Sequence, residues 1–278
     1  MQELSQTLPK ERVARRVRHE TKLRLLQVRN VAHITPKMVR VVLSGEELAG
    51  FVSAAHDDHV KLFFPPPGED KPALPPLGPN GRAFAEGAPR PPMRDYTPRR
   101  YDAAANTLTI DFVLHGEGPA TTWAAHAKPG GFLGVGGPRG SFVVPDDFDW
   151  YLLAGDESAL PAIGRRLEEL PSTARALVVA EVEDAGEEQQ FNTRAKLDMH
   201  WLHRHAPSGG EQESLLLEAL AELPLPRGDG YAWVAAEAAV AKASRRILVD
   251  QRGLPKDRVK AAAYWKRGAV AVHETYDD

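Results

Sequence analysis

WYLLAGDE, residues Trp150 to Glu157, decides the architecture. It is an unbroken apolar run that meets a glycine turn. SALPAIGRRLEEL (158–170) follows, with Ala159, Ile163, Leu167 and Leu170 on one helical face. RALVVAEVE (Arg175–Glu183) and YAWVAAE (Tyr231–Glu237) repeat the apolar pattern. LLLEALAEL (Leu215–Leu223) and AAVAKASRRILVDQRG (238–253) read as helices, the second closing at Gly253. VKAAAYWKRG (259–268) is strand-like. Strands that are apolar on both faces and alternate with helices imply an open parallel sheet covered on both sides.

Upstream the pattern differs. Leu23–Val31 and Met38–Leu43 are β-rich runs on either side of a Thr35–Pro36 turn, and HVKLFFP (His59–Pro65) is a further short strand. Residues 65–93 hold ten prolines and read as a long surface loop. TLTIDFVLH (Thr107–His115) alternates as a strand, GPATTWAAHA (Gly118–Ala127) reads as a short helix, and GSFVVP (Gly140–Pro145) is a last strand. Short strands at close spacing with Gly/Pro turns indicate a β-barrel or a sandwich, and an antiparallel barrel is the expectation carried forward. The expected fold is thus a β-barrel plus an α/β unit. The boundary falls near 146–149, giving domains 1–148 and 149–278 with a basic extension at 1–22.

Composition narrows the chemistry. The 278 residues carry 35 Lys and Arg against 38 Asp and Glu, a formal charge of −3 that argues against nucleic acid as a general partner. Residues 1–30 hold eight Lys or Arg and three Glu, read as a solvated face or as attraction for an acidic surface. No apolar run approaches the roughly 20 residues of a membrane span. The N-terminus lacks the apolar core of a secretory signal, so a cytoplasmic location is expected. Cysteine is absent, which excludes disulfides, thiol nucleophiles and cysteine-bound zinc or iron–sulfur sites. Redox chemistry would need an organic cofactor.

Three motifs could carry such chemistry. On a strand, Arg94, Tyr96 and Pro98 point one way and Asp95, Thr97 and Arg99 the other. That set offers an aromatic face, a hydroxyl and positive charge, as a flavin requires. A tyrosine packed in a barrel between surface arginines fits the same letters. His115–Trp123 (HGEGPATTW) places a glycine turn before a helix, where Gly118, Ala120, Thr121 and Thr122 could seat a phosphate or form an ordinary cap. Gly155–Ile163 (GDESALPAI) lies at the tip of the first α/β strand. It lacks the G-x-G-x-x-G fingerprint, yet Gly155, Asp156, Glu157, Ser158 and Ala159 can form a tight turn, with the acids capping the helix or facing ribose. His203 and His205 could bind a metal, but no carboxylate partner has clear spacing; no metal is expected, and Arg204 could reach a nucleotide phosphate instead. A G-x-S-x-G elbow and a Walker loop are both missing, which weighs against hydrolases and NTPases.

RDYTPR, VLHGEGPATTWA, GGPRGSF, LAGDESALPAI, YAWVAAE and YWKRG occur in that order, and with them the chain resembles the siderophore-interacting proteins, FAD-dependent ferric-siderophore reductases of the ferredoxin-reductase superfamily. The resemblance runs from about Arg24 to Gly268. It implies an N-terminal FAD-binding barrel and a C-terminal NAD(P)H-binding domain. It puts Arg94, Tyr96 and Thr97 at the flavin, Tyr96 stacking on the ring and Thr97 near its N5, and Arg99 is counted among the cofactor-binding residues. It puts His115 near the adenine half, Gly118, Ala120 and Thr121 at the pyrophosphate, and 155–162 at the nicotinamide nucleotide, with Thr122 also counted as cofactor-binding. Lys61, Arg139 and Lys266 match basic positions that attract an anionic iron chelate, the last more often Arg in similar proteins. The implied reaction takes a hydride from NADPH or NADH to FAD and returns single electrons to chelated Fe(III), which is then released as Fe(II). A monomer is expected. Two other functions share these motifs: a flavin or ferredoxin-type reductase, and a siderophore carrier without catalysis. NADH and NADPH are not separated, because Glu181 and Glu183 suit ribose hydroxyls whereas Arg204 suits a phosphate.

Overall fold

A computed structural model describes residues 12–78, 81–82, 84, 87, 90–204, 215–268 and 274–276. The first half contains β1 (Arg15–Arg18), β2 (Leu23–Thr35), β3 (Met38–Ser44), β4 (Val60–Phe63), β5 (Leu77–Gly78), β6 (Gly81–Arg82), β7 (Met93–Tyr96), β8 (Arg100–Asp102), β9 (Thr107–Val113), α1 (Pro119–Ala125), β10 (Phe132–Gly136) and β11 (Gly140–Val143). The second contains β12 (Trp150–Asp156), α2 (Leu160–Glu169), β13 (Arg175–Val182), β14 (Lys196–His203), α3 (Leu215–Glu222), β15 (Gly230–Glu237), α4 (Ala238–Arg246), β16 (Val259–Trp265) and β17 (Glu274–Tyr276).

Seven strands of the first half form one antiparallel sheet in the order β7-β4-β10-β2-β3-β9-β8. Its two edges, β7 and β8, are consecutive in the chain. Only Thr97, Pro98 and Arg99 separate them, so the edges lie within about 14 Å of each other and the sheet must curl into a barrel. The ladder does not close, since β7 and β8 do not pair; the barrel is split along this seam. Alternate residues fill its interior: Leu26 and Val28, Val39, Val41 and Leu43, Leu108, Ile110 and Phe112, all buried together. The basic extension supplies β1, an exposed strand pairing antiparallel with β11.

The second half forms a sheet in the order β14-β13-β12-β15-β16-β17. The first five strands are parallel and β17 joins antiparallel. Tyr151, Leu153, Val178 and Trp233 pack on α2, on Met38 and on Phe148, while Trp150, Leu152, Leu177 and Val234 pack on α3 and on Leu248. This explains the continuous apolar strands, since both faces are covered. KLDMHWLH was not read as a strand. It is the sheet's edge and only half-buried, so it keeps polar residues that hide the β signal. The helix expected over 158–170 starts with a 3-10 turn at Glu157–Ala159, and the one expected over 238–253 ends in a π-helical turn, Ile247–Gln251.

Gly155 sits where β12 meets that turn. A Cβ there would lie 2.1 Å from the Ala235 carbonyl oxygen and 2.5 Å from the Ala159 Cβ. Replacing Gly155 with Ala therefore overpacks a fixed backbone and should cost about 1–3 kcal/mol, read as a lowered denaturant midpoint. An unchanged midpoint would show that β12 and β15 can part freely.

The halves are held together by buried polar contacts. Arg165 of α2 donates to the Ser53 hydroxyl at 2.7 Å, the Ser53 carbonyl at 3.0 Å and the Pro98 carbonyl at 3.0 Å. Lys260 of β16 meets Asp57 at 2.6 Å, with side chains only 11% and 5% exposed. The Trp233 indole also donates to Asp57, at 3.3 Å. Thr35 donates to Glu187 at 2.6 Å.

Candidate active site

A cavity of about 990 Å³ lies between the barrel seam and the C-terminal ends of the parallel strands. From the barrel come Arg94, Asp95, Tyr96 and Thr97 at the end of β7, and His115 to Thr121 at the start of α1. From the α/β half come Asp156, Glu157, Ser158, Glu181, Glu183 and Arg204, followed by Tyr264 to Gly268.

The Tyr96 ring stands 4.5 Å from Phe112 and 6.5 Å from Phe64, so the barrel core fixes its plane. Burial pushes its phenol well above the ordinary range. Tyr96 packs against the barrel core and also lines the cavity. Thr97 is buried and hydrogen bonds the Tyr264 hydroxyl, whose pKa burial also raises. Arg94 spends one N–H on the Met93 carbonyl at 2.7 Å.

The start of α1 faces the same space. Gly118 precedes it without a side-chain cap, and Pro119 is its first residue. The N–H groups of a helix's first turn have no partners inside the helix, so those of Ala120 and Thr121 are oriented for an acceptor. The Thr121 hydroxyl is engaged with the His115 carbonyl at 3.1 Å.

Across the cavity, Asp156 accepts from the Ser158 N–H at 2.9 Å and from the Trp265 indole at 2.7 Å. Burial nonetheless pushes its carboxyl up; those hydrogen bonds oppose the shift without cancelling it. Arg204 is bonded to Glu157 and lies 3.4 Å from Glu181. Burial by itself would lower the Arg204 pKa; the bond to Glu157 and the surrounding carboxylates outweigh it and raise it.

Six residues singled out from sequence do not line this cavity. Arg99 is buried in an ion pair with Glu168 of α2 and lies 3.8 Å from Asp111, so it ties barrel to α/β half instead of facing a phosphate. Gly155 and Ala159 are packed beneath the turn. Thr122 is exposed on another side of α1. Lys61 bonds Asp95 at 2.7 Å and is 41% exposed, which places it behind a lining residue. Arg139 is exposed, three residues past Gly136, which pairs with Lys61 in the ladder. Lys266 does line the cavity. Sequence reasoning missed Lys37, Tyr264 and Trp265; the last two stand inside YWKRG, and Trp265 at 39% exposure is an unusually open tryptophan. His203 is bonded to Glu188 at 2.9 Å, and His205 lies outside the described residues. Among the described residues no group of three potential metal ligands gathers, and no helix is long and apolar enough to cross a membrane.

Comparison with known proteins gives this cavity a context. Residues 27–142 match the siderophore-interacting FAD-binding domain, and residues 148–268 match the siderophore-interacting protein family. The NADPH-dependent ferric-chelate reductase of Escherichia coli is 40% identical over 259 residues, spanning 91% of this chain and 97% of that protein. The ferric vibriobactin reductase ViuB of Vibrio cholerae is 36% identical, spanning 90% and 93%. A crystal structure of a siderophore utilization protein from T. fusca superposes with a TM-score of 0.84 at 43% identity, covering 93% of this chain and 98% of that one. With its split barrel, its parallel sheet and one cavity between them, the chain belongs to the siderophore-interacting protein family.

Proposed function

We propose that this protein is an FAD-dependent oxidoreductase that moves electrons from NAD(P)H to a ferric siderophore and so releases its iron. The observation that carries the reading is the shared cavity: one wall is the barrel seam, the other the tips of the parallel strands. Two redox partners placed on opposite walls would meet there.

The residues present fit FAD. Arg94 retains donors for a pyrophosphate, Tyr96 offers a fixed aromatic face, Thr97 offers a positioned hydroxyl, and the start of α1 offers unmatched N–H groups. When bound, FAD supplies uptake of electrons in pairs and their release one at a time. The chain's own part is to bind, orient and shield. The hydrogen bond between Thr97 and Tyr264 links the seam to β16. The turn from Asp156 to Ser158 offers the coenzyme a capped strand tip at the crevice where open α/β sheets take nucleotides. Iron leaves because Fe(II), a softer ion than Fe(III), is held less tightly by hard oxygen donors.

Lys266 and Arg267 line the cavity and would attract an anionic chelate; Lys61 and Arg139 lie on the neighbouring β4–β10 corner. The boundary near residue 148 falls between the last barrel strand and β12, and we take 1–148 and 149–278 as the two domains. One chain supplies both walls, so a monomer suffices, and a cytoplasmic setting would provide the coenzyme.

Replacing Arg94 with Ala should weaken FAD binding by about ten- to a hundredfold, the worth of charge-assisted bonds of about 1.5–3 kcal/mol. Titration of FAD into apoprotein reads this directly. Wild-type affinity in the variant removes Arg94 from the flavin site. The activity itself is tested by anaerobic mixing: NAD(P)H should bleach the flavin absorption, and a ferric chelate should restore it. Bleaching without restoration would leave a reductase for some other acceptor.

A further inference from the structure

Carboxylates gather at the coenzyme end of the cavity. Glu157, Glu181 and Glu183 stand at or just past the C-terminal ends of β12 and β13, and all three line the cavity. Among the described residues Arg204 is bonded to both Glu157 and Glu181, and Lys37 to Glu183, so both cations are already engaged.

Glu181 is also fixed in place. One of its oxygens accepts the Leu216 N–H at 3.1 Å, at the start of α3, and the other faces Arg204. It ends the second strand of the α/β sheet, beside β12. In open α/β sheets an acid at that position receives the ribose hydroxyls of the adenosine. Hydroxyls donate and a carboxylate only accepts, so the match is complementary. A 2′-phosphate only accepts and brings about two further negative charges. To receive it, Arg204 would have to divide a guanidinium already bonded to Glu157 and Glu181.

We propose that this carboxylate set makes the protein selective for NADH over NADPH, with Glu181 receiving the ribose hydroxyls and Glu157 holding Arg204 away from a 2′-phosphate. The inference rests on the reading of this cavity as the NAD(P)H seat, and binding of coenzyme fragments separates the two.

The FAD-loaded full chain is titrated calorimetrically with ADP-ribose and with 2′-phospho-ADP-ribose, which carry the adenosine end without the nicotinamide. ADP-ribose should bind at least about tenfold tighter, and kcat/KM with a ferric chelate should favour NADH over NADPH by a similar factor, mostly through KM. Salt should narrow the ratio, because the exclusion is electrostatic. Glu157→Gln, which loosens Arg204, and Glu181→Gln, which keeps an acceptor for Leu216, should each raise the affinity for the phosphorylated fragment and bring the two fragments toward parity. Retained melting temperature in both variants assigns the change to the site. Equal or tighter binding of 2′-phospho-ADP-ribose by the unmodified protein overturns the selectivity while leaving the coenzyme seat intact. So does an unchanged ratio in both variants. If neither fragment binds, the cavity is not the coenzyme seat and both readings fall.

Discussion

Lys260→Met lowers the stability of the folded chain by about 3–5 kcal/mol, the cost of leaving one member of a buried ion pair alone. Lys260 and Asp57 approach to 2.6 Å with little solvent access. Burial pushes the Asp57 carboxyl up, and the Lys260 charge, helped by the hydrogen bonds from Lys260 and Trp233, outweighs it and holds it below the usual carboxylate range. Without the ammonium, Asp57 keeps only the long bond from Trp233. Methionine retains most of the stem, including contact near the Phe142 ring, over which the ammonium sits at 4.2 Å. The loss is therefore mainly electrostatic. Chemical denaturation measures it, and the pair Asp57→Leu with Lys260→Met should regain most of it. A single-variant loss below about 1 kcal/mol would mean that water reaches Asp57 and the pair behaves as a surface bridge.

The second large effect is acid sensitivity from His56. This histidine is buried, lies edge-on to Trp233 at 5.1 Å, and its Nε2 has no hydrogen-bond partner. Burial lowers its pKa to about 3; the Asp57 charge opposes this, and Arg166, Lys260 and Arg165 add to it. Above about pH 6.5 the imidazole is neutral in both folded and unfolded chains and pH has no leverage through it. As pH falls below that value the unfolded chain binds a proton that the folded chain refuses. Stability then declines by about 1.4 kcal/mol per pH unit until near pH 3. The comparison is between wild type and His56→Phe, followed from pH 7 to pH 5, where carboxylates contribute little. The phenylalanine variant should lose about 2 kcal/mol less over that interval. Parallel curves would mean that His56 takes its proton in the folded state.

Both predictions concern contacts that no local pattern announces. Asp57 and Lys260 are separated by some two hundred positions, and each reads as an ordinary surface charge. The parallel strands were legible because burial on both faces leaves unbroken runs such as YAWVAAE, read to within one residue of Gly230–Glu237. The edge strand Lys196–His203 was not, because half-buried positions tolerate Asp198 and His200. At the site, Arg94, Tyr96 and Thr97 were legible from type and spacing, and all three line the cavity. Arg99 was not. Strand alternation does not reach it, because β7 ends at Tyr96 and Asp95 and Thr97 line the cavity along with Arg94 and Tyr96; its partner, Glu168, becomes visible only when α2 docks. Trp265 escaped notice because an apolar strand end looks like core until its exposure is known.

The seam between β7 and β8 has one more consequence. Tyr96 and Thr97 line the cavity, while the next two residues grip α2: Pro98 through its carbonyl on Arg165, and Arg99 through Glu168. Four consecutive residues thus serve as a single beam with a load on each side. A shift of α2 at Arg165 would therefore reach the cavity wall through the one peptide that joins Pro98 to Thr97. Substitutions at the contact between the halves would then be felt at Thr97 without touching the cavity.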